Sequence, residues 1–279
     1  MPIRIVTDST CDLPPDIVAA HDIALVPLYI NMDGKSYLDG VDISREEFYA
    51  RLPDLDPAPT TAAPGPQRFI QVYDRLADEG ATEILSIHIS EELSAVPNVA
   101  RLAAREASVP VTVLDSRTLS MGTGFLAWTA AEAAAAGKSM DEILGRLEAQ
   151  IKRTFVFAAL DTLEFLRRSG RMNRPLAVVG EWLQMKPLLT MYDGTPKVQK
   201  VRTTDHATER LVDLLGDWTP LQRAALVHTH ALERAEELRG KTEHMLPEDA
   251  LSMDITPVFG VHLGPNAVGF ACVTAQQKE

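Results

Sequence analysis

Short apolar runs alternate with amphipathic stretches along the first half of the chain. Residues 3–7 and 24–30, rich in Val, Ile and Leu, predict strands. Ser44-x-x-Glu47 has the spacing of a capping box and predicts a helix over 44–52. A Pro-rich loop over 53–66 leads to a helix at 67–78 and a strand at 83–88. A helix at 94–107 and a strand at 111–114 follow. Strands and helices alternating at this spacing predict βαβ units and a mostly parallel sheet. Two adjoining helices come next, 121–136 ended by Gly137 and 139–152 opened by Ser139-x-x-Glu142.

Beyond that helical pair the texture changes. Residues 155–160 predict a strand, and 163–168 and 175–185 predict helices. Segments 188–192 and 197–202 flank Asp193-Gly194, a strong hairpin signal. Helices are predicted at 205–215 and 232–245, and strands at 224–228, 251–255 and 268–273. The expected fold is therefore α/β with two domains. Residues 1–152 form an N-terminal domain with a mostly parallel sheet and helices on both faces. Residues 153–279 form a C-terminal α+β domain with a mixed or antiparallel sheet.

Composition narrows the function. A net charge of −12 excludes nucleic acid as a main partner, because phosphate neutralisation needs clustered Lys and Arg. The two cysteines, Cys11 and Cys272, make neither a disulfide framework nor a zinc site. No apolar run reaches the roughly 18 residues of a membrane span. The N-terminus enters a strand without a signal-like apolar stretch, so a cytoplasmic protein, not an integral membrane one, is expected.

Four polar clusters fall where ligands gather in open α/β sheets: Thr7-Asp8-Ser9, Pro59-Thr60-Thr61, Ser90 to Ser94, and Asp115-Ser116. Hydroxyls and N–H groups at helix starts suit an anionic oxygen. The same residues are also the ordinary caps of a following helix, and the residues alone leave both readings open. Gly260-Val-His262-Leu-Gly264-Pro265 puts a histidine between glycines, in what reads as a loop between strands. Arg171 and Arg202 are possible anion contacts. No G-x-S-x-G elbow, Walker sequence or full dinucleotide fingerprint is present. His228-Thr-His230 has no obvious third ligand nearby, so neither a metal nor a cofactor is expected.

In order along the chain stand Ile5-Val-Thr-Asp-Ser9, Pro59-Thr-Thr-Ala-Ala-Pro64, Ile87-His-Ile-Ser-Glu-Glu-Leu-Ser94 and Leu114-Asp-Ser116. Leu163-Glu-Phe-Leu-Arg-Arg-Ser-Gly-Arg171, Lys186-Pro-Leu-Leu189 and the Gly260–Pro265 segment follow. In this order and spacing the chain resembles the DegV family of bacterial fatty-acid-binding proteins over almost its whole length. The resemblance implies a long-chain fatty acid in a tunnel between two domains, its carboxylate held by Thr61 and Ser94 with His262 nearby. It also implies that Arg171 and Arg202 face a partner fatty-acid kinase, to which the lipid is presented, making the chain a carrier rather than an enzyme. Departures from the family pattern are Ala62-Ala63 for Ser-Gln, Ser94-Ala-Val-Pro97 for Ser-Gly-Thr-Tyr, Ser169 for Gly, and Asn266 for Gly. A hydrolase or transferase acting on an ester or phosphate through Ser94 and His262 is the alternative.

Overall fold

The computed structural model describes residues 2–171 and 185–275. Its first half carries strands β1 (Ile3–Asp8), β2 (Ala24–Val26), β3 (Tyr29–Met32), β4 (Lys35–Leu38), β5 (Thr60–Ala62), β6 (Glu83–His88) and β7 (Val111–Asp115). β2, β1, β6 and β7 pair in that order as a parallel four-stranded sheet. The helices between them are α1 (Pro15–Ala20), α2 (Arg45–Arg51), α3 (Pro66–Asp78) and α4 (Val96–Ala104), followed by α5 (Met121–Ala135) and α6 (Met140–Ile151). Ser44 caps α2 by accepting from the Glu47 N–H, and Ser139 and Glu142 make a full capping box at α6.

The first half holds a second sheet beyond the expected elements. β4, β3 and β5 form an antiparallel three-stranded sheet. The strand expected over 24–30 is two strands in two sheets, broken at Pro27, which has no N–H to give a ladder. The turn between β3 and β4 is Asp33-Gly34, with φ of 50° and 70°. This is the same hairpin signal as Asp193-Gly194 and is legible by the same rule. β5 lies inside the stretch expected to be a loop.

The second half contributes β8 (Thr154–Ala159), β9 (Lys186–Tyr192), β10 (Thr195–Val201), β11 (Leu221–His228), β12 (Leu251–Asp254) and β13 (Val268–Thr274). Its helices are α7 (Glu164–Arg168), α8 (Thr204–Trp218), α9 (Leu232–Thr242) and α10 (Pro257–Leu263). The strand order is β10-β9-β8-β13-β11-β12. All neighbours are antiparallel except β11 and β12, which are parallel and joined through α9. The helix expected over 175–185 lies, apart from Met185, outside the described residues.

β8 shows how this sheet is covered. Phe155, Phe157 and Ala159 point into a cluster with Leu211, Leu215 and Trp218 of α8 and Phe270 of β13. Val156, on the opposite face, joins the main core with Ile5, Leu85, Phe125 and Phe259. A central strand covered on both faces reads as a continuous apolar run, as Thr154–Ala159 does. One apolar cluster thus includes residues of the parallel sheet, of α5 and of one face of the six-stranded sheet.

The segment around His262 differs most from expectation. It is not a loop but helix α10, with Pro257 at its first turn and Thr256 as N-cap. Two glycines let it dock. A Cβ on Gly260 would sit 2.7 Å from the Tyr49 ring and 2.8 Å from the Phe48 ring, both on α2. Gly264 ends the helix at φ 72°, where a Cβ would lie 2.3 Å from the Phe165 ring. α10 therefore belongs to the second half by sequence, and packs on α2 of the first half at Gly260 and on α7 of the second half at Gly264.

Gly260→Ala is expected to lower unfolding stability by about 1–3 kcal/mol through overpacking. Gly145→Ala, in α6 with open space around its Cα, is expected to be neutral or stabilising by up to about 1 kcal/mol. Denaturant titration of both variants checks the contrast.

Candidate ligand-binding site

Thr61 stands on β5 opposite Ile30 of β3, so it is a strand residue rather than a helix cap. His262 stands in the last turn of α10. The two half-buried side chains meet across 201 positions of sequence, with Thr61 Oγ1 2.9 Å from His262 Nε2. The other ring nitrogen, Nδ1, is buried and has no hydrogen-bond partner among the described residues. Burial, helped by the charge of Arg171, pushes the His262 imidazole down to about 4. The ring is therefore neutral near pH 7, with one N–H to donate and one lone pair to accept.

Arg171 owes its place to the end of α7. Its N–H closes onto the Leu166 carbonyl at 3.1 Å, and its Nη1 donates to the Ser169 carbonyl at 2.9 Å. The side chain is exposed, yet it is close enough to act electrostatically on His262. Thr61 and His262 are thus brought into contact, and the Arg171 charge acts on the ring from the end of α7. Ser94 is not joined to them by any hydrogen bond among the described residues. It is half-buried, one position before the Ala95 N-cap of α4, and its Oγ accepts from the Val96 N–H at 3.3 Å. Arg202 is exposed just past β10. Ala62 is exposed beside Thr61, so methyl groups stand where the family pattern puts polar side chains.

A serine–histidine–aspartate chain does exist, on other residues. Ser86 Oγ is 2.7 Å from His88 Nε2, His88 Nδ1 is 2.8 Å from Asp8 Oδ2, and Tyr73 Oη is 2.9 Å from Ser86 Oγ. Ser86 and His88 alternate onto one face of β6, and Asp8 ends the adjacent strand β1. All four residues have no solvent exposure. Ser86 has no open path to solvent, and this chain of bonds satisfies buried polar groups. Its signal in the sequence is the i, i+2 pair Ser86 and His88, which the apolar strand around it masks.

A second network lies at the base of α10. Asp12, fully buried, accepts from Ser120 Oγ at 2.6 Å, from the Thr256 N–H at 2.7 Å and from Arg45 Nη2 at 3.3 Å. Burial outweighs these donors and pushes the Asp12 carboxyl up to about 7. Asp39, also buried and raised, accepts from Thr256 Oγ1.

His228 and His230 line a cleft of about 530 Å³ at the end of β11, with Asp254, Arg234 and Asn266. His228 ends β11, whereas His230 lies past it at φ 50° and stacks on Tyr49. Asp254 supplies the third side chain that the sequence did not show, 3.6 Å from His228 Nδ1 and 3.8 Å from His230 Nδ1. Among the described residues no three His, Cys, Asp or Glu side chains are spaced to hold a metal ion. Nor is any described helix long and apolar enough to cross a membrane.

The geometry can be set beside known proteins. The DegV family model, described as "Uncharacterised protein, DegV family", matches residues 2–275. A DegV domain-containing protein of Streptomyces coelicolor is 36% identical over 273 residues, 96% of each chain. One from Mycobacterium tuberculosis is 37% identical over 279 residues, 98% of this chain and 97% of its own. Among solved structures, one described as fatty acid binding of a DegV family protein from Thermus thermophilus superposes with a TM-score of 0.89. It is 33% identical, covering 98% of this chain and 100% of its own. DegV of Bacillus subtilis, described as a fatty acid binding protein, has a TM-score of 0.87 at 27% identity, covering 98% and 100%.

The His262 ring is expected to titrate near pH 4 by NMR. An unfolded histidine takes its proton at about 6.5. The stability that comes from keeping the ring neutral is therefore complete above about pH 6.5 and is lost as pH falls through 4. His262→Gln is expected to flatten that part of a Tm-against-pH curve.

Proposed function

The chain belongs to the DegV family, and we propose that it binds a long-chain fatty acid whose carboxylate is held by Thr61, Ser94 and His262. The observation that carries the reading is the Thr61–His262 pair, a hydroxyl and a neutral imidazole 2.9 Å apart on β5 and α10. Neither group is charged, and a carboxylate removed from water needs such donors or it protonates or leaves. Arg171, which acts electrostatically on His262, adds a positive field to the same region. The fatty-acid-binding relatives from Thermus thermophilus and Bacillus subtilis support the assignment of ligand class.

The acyl chain supplies most of the affinity at about 0.8 kcal/mol per buried CH₂. In this reading the acid lies between a domain of residues 1–152 and one of residues 153–279. The protein is a carrier without its own catalytic group, and it presents the carboxylate to a fatty-acid kinase that docks near Arg171 and Arg202. The hydrolase alternative needs Ser94 and His262 to act together, and no hydrogen bond joins them among the described residues.

Native mass spectrometry of the purified protein is expected to show a co-purified long-chain acid. Thr61→Val and Ser94→Ala are each expected to weaken binding of a fluorescent fatty acid by about tenfold, the loss of one charge-assisted hydrogen bond. Unchanged affinity in the double variant would remove these residues from the site. Acyl phosphate formed by an added fatty-acid kinase only in the presence of this protein, and reduced by Arg202→Glu, would support the presentation step.

A further inference from the structure

α10, which carries His262 to Thr61, is gripped at its N-cap. Thr256 is the N-cap of that helix and its Oγ1 accepts from the Val258 N–H at 3.1 Å. The same hydroxyl donates to Asp39, and the Thr256 N–H donates to Asp12 at 2.7 Å. Both carboxylates come from the first half of the chain, just after a short helical turn in one case and just past β4 in the other. The residues leading into α10 are held from the same side. Arg45 of α2 donates to the Asp254 carbonyl, and Tyr49 of α2 donates to the Ile255 carbonyl at 3.3 Å. Thr256 is 1% exposed, Asp12 1% and Asp39 5%, so water does not compete for these bonds.

We propose that Asp12, Asp39 and Thr256 are positioning residues for the head-group site, fixing the start of α10 so that His262 in its last turn stays in register with Thr61. The proposal rests on the reading that Thr61 and His262 hold a carboxylate. A seven-residue helix is too short to be stable alone, and its direction is set by its ends and its packing. One end is the Thr256 bonds, and the other is Gly264 against Phe165. A rotation at the N-cap is carried along the helix to His262, whereas Thr61 is held separately by β3. Loss of the Thr256 grip therefore separates the two partners without touching either.

Asp39 bonds Ser9 besides Thr256, whereas Asp12 ties Ser120 and Arg45 from two further elements, so Asp39 is the better lever. The experiment compares Thr256→Val, Asp39→Asn and Thr256→Ser in the full chain. The first removes the hydroxyl, the second exchanges the carboxylate for a weaker acceptor, and the third keeps the hydroxyl. Two measurements are made: the affinity ratio of a fluorescent fatty acid over its methyl ester, and the His262 titration by NMR. The ester keeps the tail and lacks the anionic head, so simple loosening of the fold weakens acid and ester alike. Thr256→Val is expected to cut the acid-over-ester ratio about tenfold, Asp39→Asn severalfold, and Thr256→Ser less than twofold. His262 is expected to titrate closer to an ordinary histidine in the first two variants and to keep its depressed value in the third.

A ratio and a His262 titration unchanged in a folded Thr256→Val or Asp39→Asn protein would overturn the proposal. So would equal losses for acid and ester with the His262 titration unmoved. If the wild-type protein binds neither acid nor ester, the fatty-acid reading fails, and the NMR titration alone still decides whether these residues position His262.

Discussion

A carboxylate can be buried only where enough donors surround it, and Asp12 shows how demanding that is. Ser120, Arg45 and the Thr256 N–H all point at it, yet its carboxyl still titrates near neutral pH. Each donor comes from a different part of the chain: α2, the start of α5 and the entry to α10. Satisfying one side chain therefore fixes three elements at once. Asp39 repeats the arrangement on the neighbouring hydroxyl. The path of the chain around α10 follows from this need together with the close packing of Gly260 on α2 and Gly264 on Phe165.

The local parts of the fold were legible because local rules govern them. Ser44, Ser139 and Asp193-Gly194 mark two helix starts and a hairpin, and each is found there. β5 and α10 were not legible, for opposite reasons. Thr60–Ala62 is a strand only because β3 accepts it, and nothing in three residues after a Pro-rich stretch announces that partner. Pro257–Leu263 is buried on nearly every side, so it has no polar face to give a helical period, and its glycine and flanking proline look like loop punctuation. Thr61 and His262 each stand out in the sequence as candidate anion contacts, and the family likeness is what joins them in one site, because a spacing of 201 positions carries no local signal.

The two serine–histidine relationships in the chain show what a geometric motif does and does not mean. Ser86, His88 and Asp8 have the distances of a hydrolytic relay and no access to solvent. Ser94 and His262, which the sequence paired as an alternative catalytic set, are bonded to other partners. Hydrogen-bonded order is what burial requires of polar side chains; chemistry needs, in addition, a surface from which a substrate can arrive.

The crossing of α10 also bears on how the polypeptide can be divided. Phe48 and Tyr49 of α2 are covered by a helix made more than 200 positions later, and Asp12 and Asp39 find donors there. During synthesis the Phe48 and Tyr49 face and the Asp12 and Asp39 carboxyls are left without this cover until the residues after 256 emerge. Pieces separated at the long helical pair would each lack something the other holds. They are better suited to reassociate as complementing fragments than to persist as independent modules.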